Sequence, residues 1–308
     1  MEKRTFTGHT KIFMLISAAI MVVALVMSLC GYGLNMGIDF TGGVLLEYEV
    51  GSDFDVNVVE QALEEQGITE SQIAKTGDGE VKTGLQVRFN DQGENTDDLR
   101  AAFETKLQET YPELEFINID RVGATAGRDL VANAFYSVLV VAVCLLIYIG
   151  IRFDFVSGLA AILCLLHDIL IMVSFMVFAR SLYQVNSSFI AAMLTIIGYS
   201  INNTIVIFDR VRENRKLAEF RGQKLMPIVE RSVRETLSRT INTTLTTLFT
   251  LVAVYVLGVS AIQEFTFPLL VGMLAGTYSS VLLSGQIWAM MEDSGVFSRL
   301  FKKKKAKA

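Results

Sequence analysis

The chain has 308 residues, 52% of them hydrophobic and only three of them proline. That composition at this length points to a polytopic membrane protein and away from a soluble domain. The net charge of −5 excludes little, because the charges are segregated along the sequence, and Cys30, Cys144 and Cys164 all lie in apolar runs, which argues against a disulfide framework.

Lys3, Arg4 and Lys11 accompany the apolar run "IFMLISAAIMVVALVMSLCGYG". The run is long enough to cross a bilayer and no A-x-A-like cleavage site follows it. Leu29 precedes Cys30 where a lipoprotein signal has a small residue, so an uncleaved anchor is expected. Six apolar segments reach the ~20 residues that a crossing needs, at 12–32, 131–149, 156–179, 187–208, 241–261 and 266–291. The expected organisation is an N-terminus and first span (1–36), a polar domain (37–129), a bundle of five spans (130–292) and a basic tail (293–308).

The polar domain reads as alternating elements. "GGVLLEYEV" (42–50) is strand-like, and "DVNVVEQALEEQG" (55–67) is helical, with Asp55 as N-cap and Gly67 as stop. "SQIAKTG" (71–77) and "VKTGLQVRFN" (81–90) predict a hairpin around Asp78-Gly79. "TDDLRAAFETKLQETYP" (96–112) is a second helix and "LEFINIDRVG" (114–123) a last strand. The order βαββαβ predicts a ferredoxin-like fold. The domain has no histidine, no cysteine and no glycine-rich phosphate loop, so contact is expected of it rather than catalysis.

Lysine and arginine orient the spans by the positive-inside rule. Three precede or open the first span, Arg152 lies in one turn, nine lie in the 209–240 loop and six in the tail, against Arg180 on the other side. Both termini are therefore expected in the cytoplasm and the polar domain outside, where its 21 acidic and seven basic residues suit translocation. In "PIVERSVRETLSRTI" (227–241), Val229, Val233, Leu237 and Ile241 form one apolar stripe, predicting an interfacial helix that feeds the fifth span. The "KKKK" tail reads as a lipid-facing charge cluster.

Ionisable and amide groups inside spans are the candidate functional residues, because an ionised one costs ~2.5–3.5 kcal/mol at mid-depth. His167-Asp168, in "LCLLHDILIM", lies near the middle of the third span; a relay or ion site and a fixed hydrogen-bonded pair both remain open. Asn202, Asn203 and Thr204 either join helices or offer oxygens to a cation. Asp209-Arg210 reads as an interfacial ion pair or helix-end anchor, and Arg239 as a snorkelling anchor or a cation that sets a nearby carboxylate. Thr240, Thr243, Thr244, Thr246 and Thr247 suggest a polar interior face, and Gly272 with Gly276 gives a G-x-x-x-G spacing for close packing.

"GIDFTGG" (37–43), "LHD" (166–168), "GYSINNTIVIFDRVREN" (198–214) and "ETLSRTINTTLTT" (235–247), in this order and spacing, resemble the SecF branch of the SecD/SecF protein-export family, within the resistance–nodulation–division-like superfamily. The motif residues are Gly37, Asp39, Phe40, Thr41, Gly42 and Gly43, then Gly198, Tyr199, Ser200, Phe208, Asp209 and Arg210. The resemblance covers nearly the whole chain and implies six spans with one extracytoplasmic domain in a bacterial or archaeal cytoplasmic membrane. It implies no covalent chemistry, no cofactor and no nucleic acid. The implied partners are SecD, the SecYEG channel and SecA motor, a YidC-like insertase and a YajC-like accessory subunit. Unfolded preprotein is the implied cargo, and H+ or Na+ the coupling ion.

The family usually carries Asn-Asp-Thr in the fourth span, with the aspartate as ion carrier; here that position is Asn203. Three expectations follow: sodium coupling with Asn203 as a neutral ligand, a proton carried by Asp168 or by a SecD carboxylate, or a scaffold without coupling. The competing class is a self-sufficient small-molecule or lipid exporter of the same superfamily, typically built of two six-span halves with large outer domains.

Overall fold

The computed structural model describes residues 7–68, 71–77, 82–89 and 96–294. The expected Asp78-Gly79 turn, Lys3, Arg4 and the lysine tail lie outside these residues. Helix α1 (Thr10–Leu29) and a single turn, α2 (Ile38–Thr41), lead into the polar domain. There β1 (Gly43–Glu49), α3 (Val56–Glu64), β2 (Ser71–Thr76), β3 (Gly84–Phe89), α4 (Thr96–Thr110) and β4 (Glu115–Val122) follow in the expected order. The sheet runs β2-β3-β1-β4 with every neighbouring pair antiparallel, which is the ferredoxin-like arrangement. Asp55 caps α3 by accepting the Asn57 amide at 2.9 Å, and Gly67 closes the turn behind it with a φ of 81°. Val44, Leu46 and Tyr48 on β1 and Leu85 and Val87 on β3 meet Phe103 and Leu107 of α4 in one buried core.

Five further long helical segments follow. They are α5 (Ala124–Arg152), α6 (Phe155–Phe178), α7 (Ser187–Asn214), α8 (Leu225–Leu257) and a last span made of α9 (Ser260–Ser279), a π-helical stretch (Ser280–Ser284) and α10 (Gly285–Asp293). With α1, six helices are long and apolar enough to cross a membrane. The capping box of Asp154 and Ser157 starts α6: the Asp154 carboxylate accepts the Ser157 amide at 2.8 Å and the Ser157 hydroxyl accepts the Asp154 amide at 3.2 Å.

The interfacial helix expected at 227–241 does not stand apart. It is the first half of α8, which runs unbroken for 33 residues, ~50 Å at 1.5 Å per residue. Pro227 falls in the first turn, where it breaks no hydrogen bond, and no glycine or proline interrupts the helix before Gly258. Val229, Val233 and Leu237 pack into the bundle core, while Ile241 faces outwards.

Helices α1, α5 and α8 show most of their apolar surface to the surroundings, whereas α6, α7 and α9–α10 are about half buried. The bundle core has two apolar layers. One contains Leu165, Ile197, Ile201, Phe208, Val229 and Trp288; the other, nearer the sheet, contains Met172, Met176, Phe189, Ile196 and Met273. The expected glycine spacing brings α9 against α7: a Cβ on Gly276 would lie 2.9 Å from the Ser200 Cβ, and one on Gly272 2.6 Å from Ile196 Cγ1.

The "GIDFTGG" segment seats the sheet on the bundle. The Gly37 amide donates to the Val185 carbonyl at 2.7 Å, and Asp39 accepts the Ser187 amide at 2.7 Å at the start of α7. Phe40 and Thr41 complete the turn, and Phe40's carbonyl would lie 2.9 Å from a Cβ on Gly127 of α5. Gly42 and Gly43 take φ values of 74° and 117° between α2 and β1, a conformation that side chains disfavour. Buried Arg88 of β3 reaches the Met36 carbonyl and Gln184. Its burial lowers its pKa, against the raising effect of Glu264 and Asp39.

A buried carboxylate between four helices as the candidate functional site

Asp168 lies between the two apolar layers and is 1% exposed. Its Oδ2 accepts hydrogen bonds from Ser200 Oγ of α7 at 2.5 Å and from Ser279 Oγ of α9 at 2.9 Å. Its Oδ1 lies 2.9 Å from Nδ1 of His167, the preceding residue on α6. The other ring nitrogen, Nε2, lies 2.8 Å from Ser17 Oγ of α1. Ser17 contacts the Tyr278 hydroxyl at 3.2 Å, and Tyr278 donates to the Phe13 carbonyl at 2.6 Å. The Tyr278 and His167 rings are stacked with centroids 5.9 Å apart. One continuous polar chain therefore crosses α7, α9, α6 and α1.

Local sequence explains how these groups meet. Gly276 lets α9 approach α7 closely enough for Ser279, one turn later, to share Asp168 with Ser200. The π-helical stretch begins at the next residue; such segments favour functional positions because one residue more per turn re-aims side chains. On the lipid side a crevice of about 310 Å³ adjoins Ser17, His167 and Tyr278. Its other walls, Ile16, Ile20, Ile171, Phe175, Val271, Leu274 and Ala275, are apolar.

The remaining expected residues do not join this chain. Asn203 and Thr204 are buried and Asn202 is exposed; among the described residues none of the three is part of a side-chain hydrogen bond. Asp209 and Arg210 do not pair with each other. Asp209 meets Arg152 at 3.2 Å, while Arg210 meets Glu213 at 2.7 Å and Glu235 at 2.6 Å. Glu235 also accepts from Asn214 and Arg231 at 2.8 Å each, so these residues tie the protruding ends of α7 and α8 together. Phe208 packs on Phe153 and Trp288. Arg239 is exposed on α8 and makes no ion pair among the described residues. Of the threonines after it, Thr240 and Thr244 are buried, with Thr244 bonded to Thr277 at 2.9 Å, while Thr243 and Thr246 face outwards.

Two polar stripes thus lie on the outside of neighbouring helices. Thr195, Tyr199 and Asn202 of α7 form one, and Arg239, Thr243, Thr246 and Thr250 of α8 the other. Gly198, where a Cβ would meet nothing within 4 Å, sits on the first.

A family model described as "Protein export membrane protein SecD/SecF, C-terminal" matches residues 102–294, and a "SecD/SecF GG Motif" model matches residues 28–53. The chain belongs to the SecD/SecF family. "Protein translocase subunit SecF" of Calditerrivibrio nitroreducens is 34% identical over 290 residues, 92% of each chain. "Protein translocase subunit SecDF" of Bacillus subtilis is 36% identical over 289 residues, 93% of this chain and 38% of that longer one. Among solved structures, SecDF of Thermus thermophilus, titled a translocon-associated membrane protein, superposes with a TM-score of 0.81 at 32% identity, covering 94% of this chain and 39% of that one. A SecDF structure in a super-membrane-facing form gives 0.66 at 30% identity. The chain therefore spans nearly all of a SecF relative and about two fifths of the fused SecDF chains.

Ser17, Tyr278 and Ser279 are the site residues that sequence reasoning missed, and Ser200 entered it only as a motif letter. The sole sequence signal was the small polar run "GTYSS" (276–280) inside an apolar span.

Proposed function

We propose that this chain is the SecF-type subunit of a protein translocase accessory complex, and that its bundle is completed by a SecD-type partner. The single observation that carries the reading is the exposed polar face of α7 and α8. An arginine facing lipid at membrane depth costs ~2.5–3.5 kcal/mol, and a second helical body covering this face would remove that cost. The SecDF relatives, of which this chain covers 38% and 39%, have length enough for such a body within one chain. The partner's covering helices would approach at Gly198, and Arg239 would find its counter-charge there. A self-sufficient exporter is disfavoured, because one six-span bundle leaves this face open.

In this reading both termini are cytoplasmic, the sheet lies outside, and SecYEG with an unfolded preprotein is the working partner. Asp168 is the ion carrier within this chain. Two hydroxyls hold its Oδ2 and His167 meets its Oδ1, so a change in its charge acts on a hydrogen-bonded chain that joins four helices. The "GIDFTGG" seat then transmits helix movement to the sheet. Asn203, an amide, carries no proton; it is buried behind Asn202, which lies on the open face.

The test is export by membrane vesicles containing this chain and its partner, under imposed proton or sodium gradients. Asp168→Asn is expected to abolish the gradient-stimulated part of export while ATP-driven export persists. Asn203→Asp is expected to change which ion stimulates. Undiminished stimulation in Asp168→Asn would sink the carrier assignment, and solute transport by this chain alone in liposomes would sink the subunit reading.

A further inference from the structure

Hydrogen bookkeeping along the polar chain fixes more than its geometry. A backbone carbonyl only accepts, so Tyr278 spends its one hydroxyl hydrogen on Phe13 O at 2.6 Å. Its contact with Ser17 must then run the other way, and the Ser17 hydrogen is spent on Tyr278 at 3.2 Å. With that hydrogen gone, the 2.8 Å contact between Ser17 and His167 requires Nε2–H to donate. The 2.9 Å contact between Nδ1 and Asp168 Oδ1 still needs one proton, because a bare ring nitrogen would repel a carboxylate oxygen. The arrangement therefore holds two protons on the His167–Asp168 pair: one on Nε2 and one between Nδ1 and Oδ1.

We infer that this is the loaded state of a proton site, and that Ser17 and Tyr278 form a hydrogen-bond polarity switch that reports its charge to α1. Loss of one proton to water leaves Nδ1–H donating to the Asp168 carboxylate and Nε2 bare. Ser17 then turns its hydrogen from Tyr278 to Nε2. The atoms balance: the pair goes from neutral to a single negative charge, one proton leaves, and Ser17 and Tyr278 keep one hydrogen each. The turn costs only the long 3.2 Å bond: it removes one of the two ties between α1 and Tyr278 of the last span, leaving that to the Phe13 carbonyl, and it reverses the direction of the bond between α1 and α6. Helix α1 ends at Leu29 and the chain reaches the "GIDFTGG" seat 20 residues after Ser17, so a shift of α1 is passed on to the sheet's attachment. The other groups facing the pair are the Ser200 and Ser279 hydroxyls, which serve Oδ2 in both states, and the Cys164 thiol, one turn earlier on α6. The inference rests on Asp168 as carrier and names the ion as a proton; a sodium ion has no place in a chain in which every contact already carries a hydrogen.

The test is the tautomer of His167, read by nitrogen-15 NMR of the full chain with its partner in bilayers. The chain has two histidines, and His9→Ala leaves one signal set. At a pH where the parent ring carries Nε2–H, Tyr278→Phe is expected to raise the share of the Nδ1–H tautomer, because Ser17 has lost the Tyr278 acceptor and its hydrogen divides between Nε2 and the freed Phe13 carbonyl. In a Ser17→Ala background the same Tyr278→Phe change is expected to leave the tautomer as it is. An unchanged tautomer in Tyr278→Phe, or an equal change with and without Ser17, would overturn the switch. No gradient is imposed, so this result is independent of whether Asp168→Asn loses gradient-stimulated export.

Discussion

Two polar regions of the same bundle are built on opposite terms. Around Asp168, the polar groups find partners inside the chain at 2.5–3.2 Å, all on another helix except for the His167–Asp168 contact within α6. Along the outer faces of α7 and α8, Asn202 and Arg239 find no side-chain partner among the described residues, and Thr195, Thr243 and Thr250 bond only to carbonyls of their own helices. The first region is complete and holds this bundle together. The second leaves Asn202 and Arg239 open, and in the proposed complex the partner covers them. Substitutions in the first should therefore be felt by the chain alone, and substitutions in the second only by the complex.

The largest effect on the chain alone is expected from Asp168→Ala. It strands Ser200, Ser279 and His167 at once, and at about 0.6–1.7 kcal/mol for each intramembrane hydrogen bond the three lost bonds sum to roughly 2–5 kcal/mol. Unfolding of the purified chain in detergent by SDS would read this; a loss under ~0.5 kcal/mol would show that the cage contributes nothing to stability. Gly276→Val comes next. Its Cβ would meet the Ser200 side chain at 2.9 Å and the Ser200 Cα at 3.3 Å, so the helices must separate, at about 1–3 kcal/mol. Because the separation also pulls Ser200 from Asp168, the Asp168→Ala and Gly276→Val losses should add to less than their sum.

Glu235→Gln is expected to cost less, about 1 kcal/mol or below, because its arginine partners are partly exposed and solvent screens them. Raising the salt concentration should erase most of that difference, whereas it should leave Asp168→Ala untouched. Equal salt sensitivity of the two would break the contrast between a buried cage and a surface network.

Much of this architecture was legible in the sequence, because the physical signals behind it are periodic or covalently local. Apolar runs marked six spans, and alternation with turn residues marked βαββαβ. The continuity of α8 was less legible: "PIVERSVRETLSRTI" read as an interfacial helix feeding the fifth span, whereas it is the first half of one unbroken helix, whose Arg231 and Glu235 join the network that pairs it with α7. The π-helical stretch was hidden because "SVLLS" differs in no obvious way from an ordinary helical turn. His167 and Asp168 were visible, since ionisable residues are expensive in lipid. Their partners were not, since a serine in a span bonds cheaply to its own helix, as Ser174 does to the Leu170 carbonyl at 2.7 Å. Nothing local distinguishes Ser174 from Ser17, Ser200 or Ser279; only the fold does.

Arg239→Leu carries the comparison to its limit, with the smallest effect on the chain alone. Arg239 has no ion pair to lose there, so the isolated chain should be as stable as the parent, or slightly more so, because a guanidinium facing detergent tails is replaced by an apolar side chain. In the complex the sign should reverse. The pairing of Arg210 with Glu235 and of Asn214 with Ser232 sets α7 antiparallel to α8, which puts Arg239 within about one helical turn of the level of Asn203. A partner carboxylate at that depth would lose its counter-charge and be left buried and unpaired, the costly outcome for a broken ion pair at ~3–5 kcal/mol. Co-purification with the SecD-type partner should therefore fall sharply while the chain itself remains folded. Retained association with a destabilised chain would mean that Arg239 serves this bundle and not the interface, and the division between a complete region and an open one would fail at its sharpest residue.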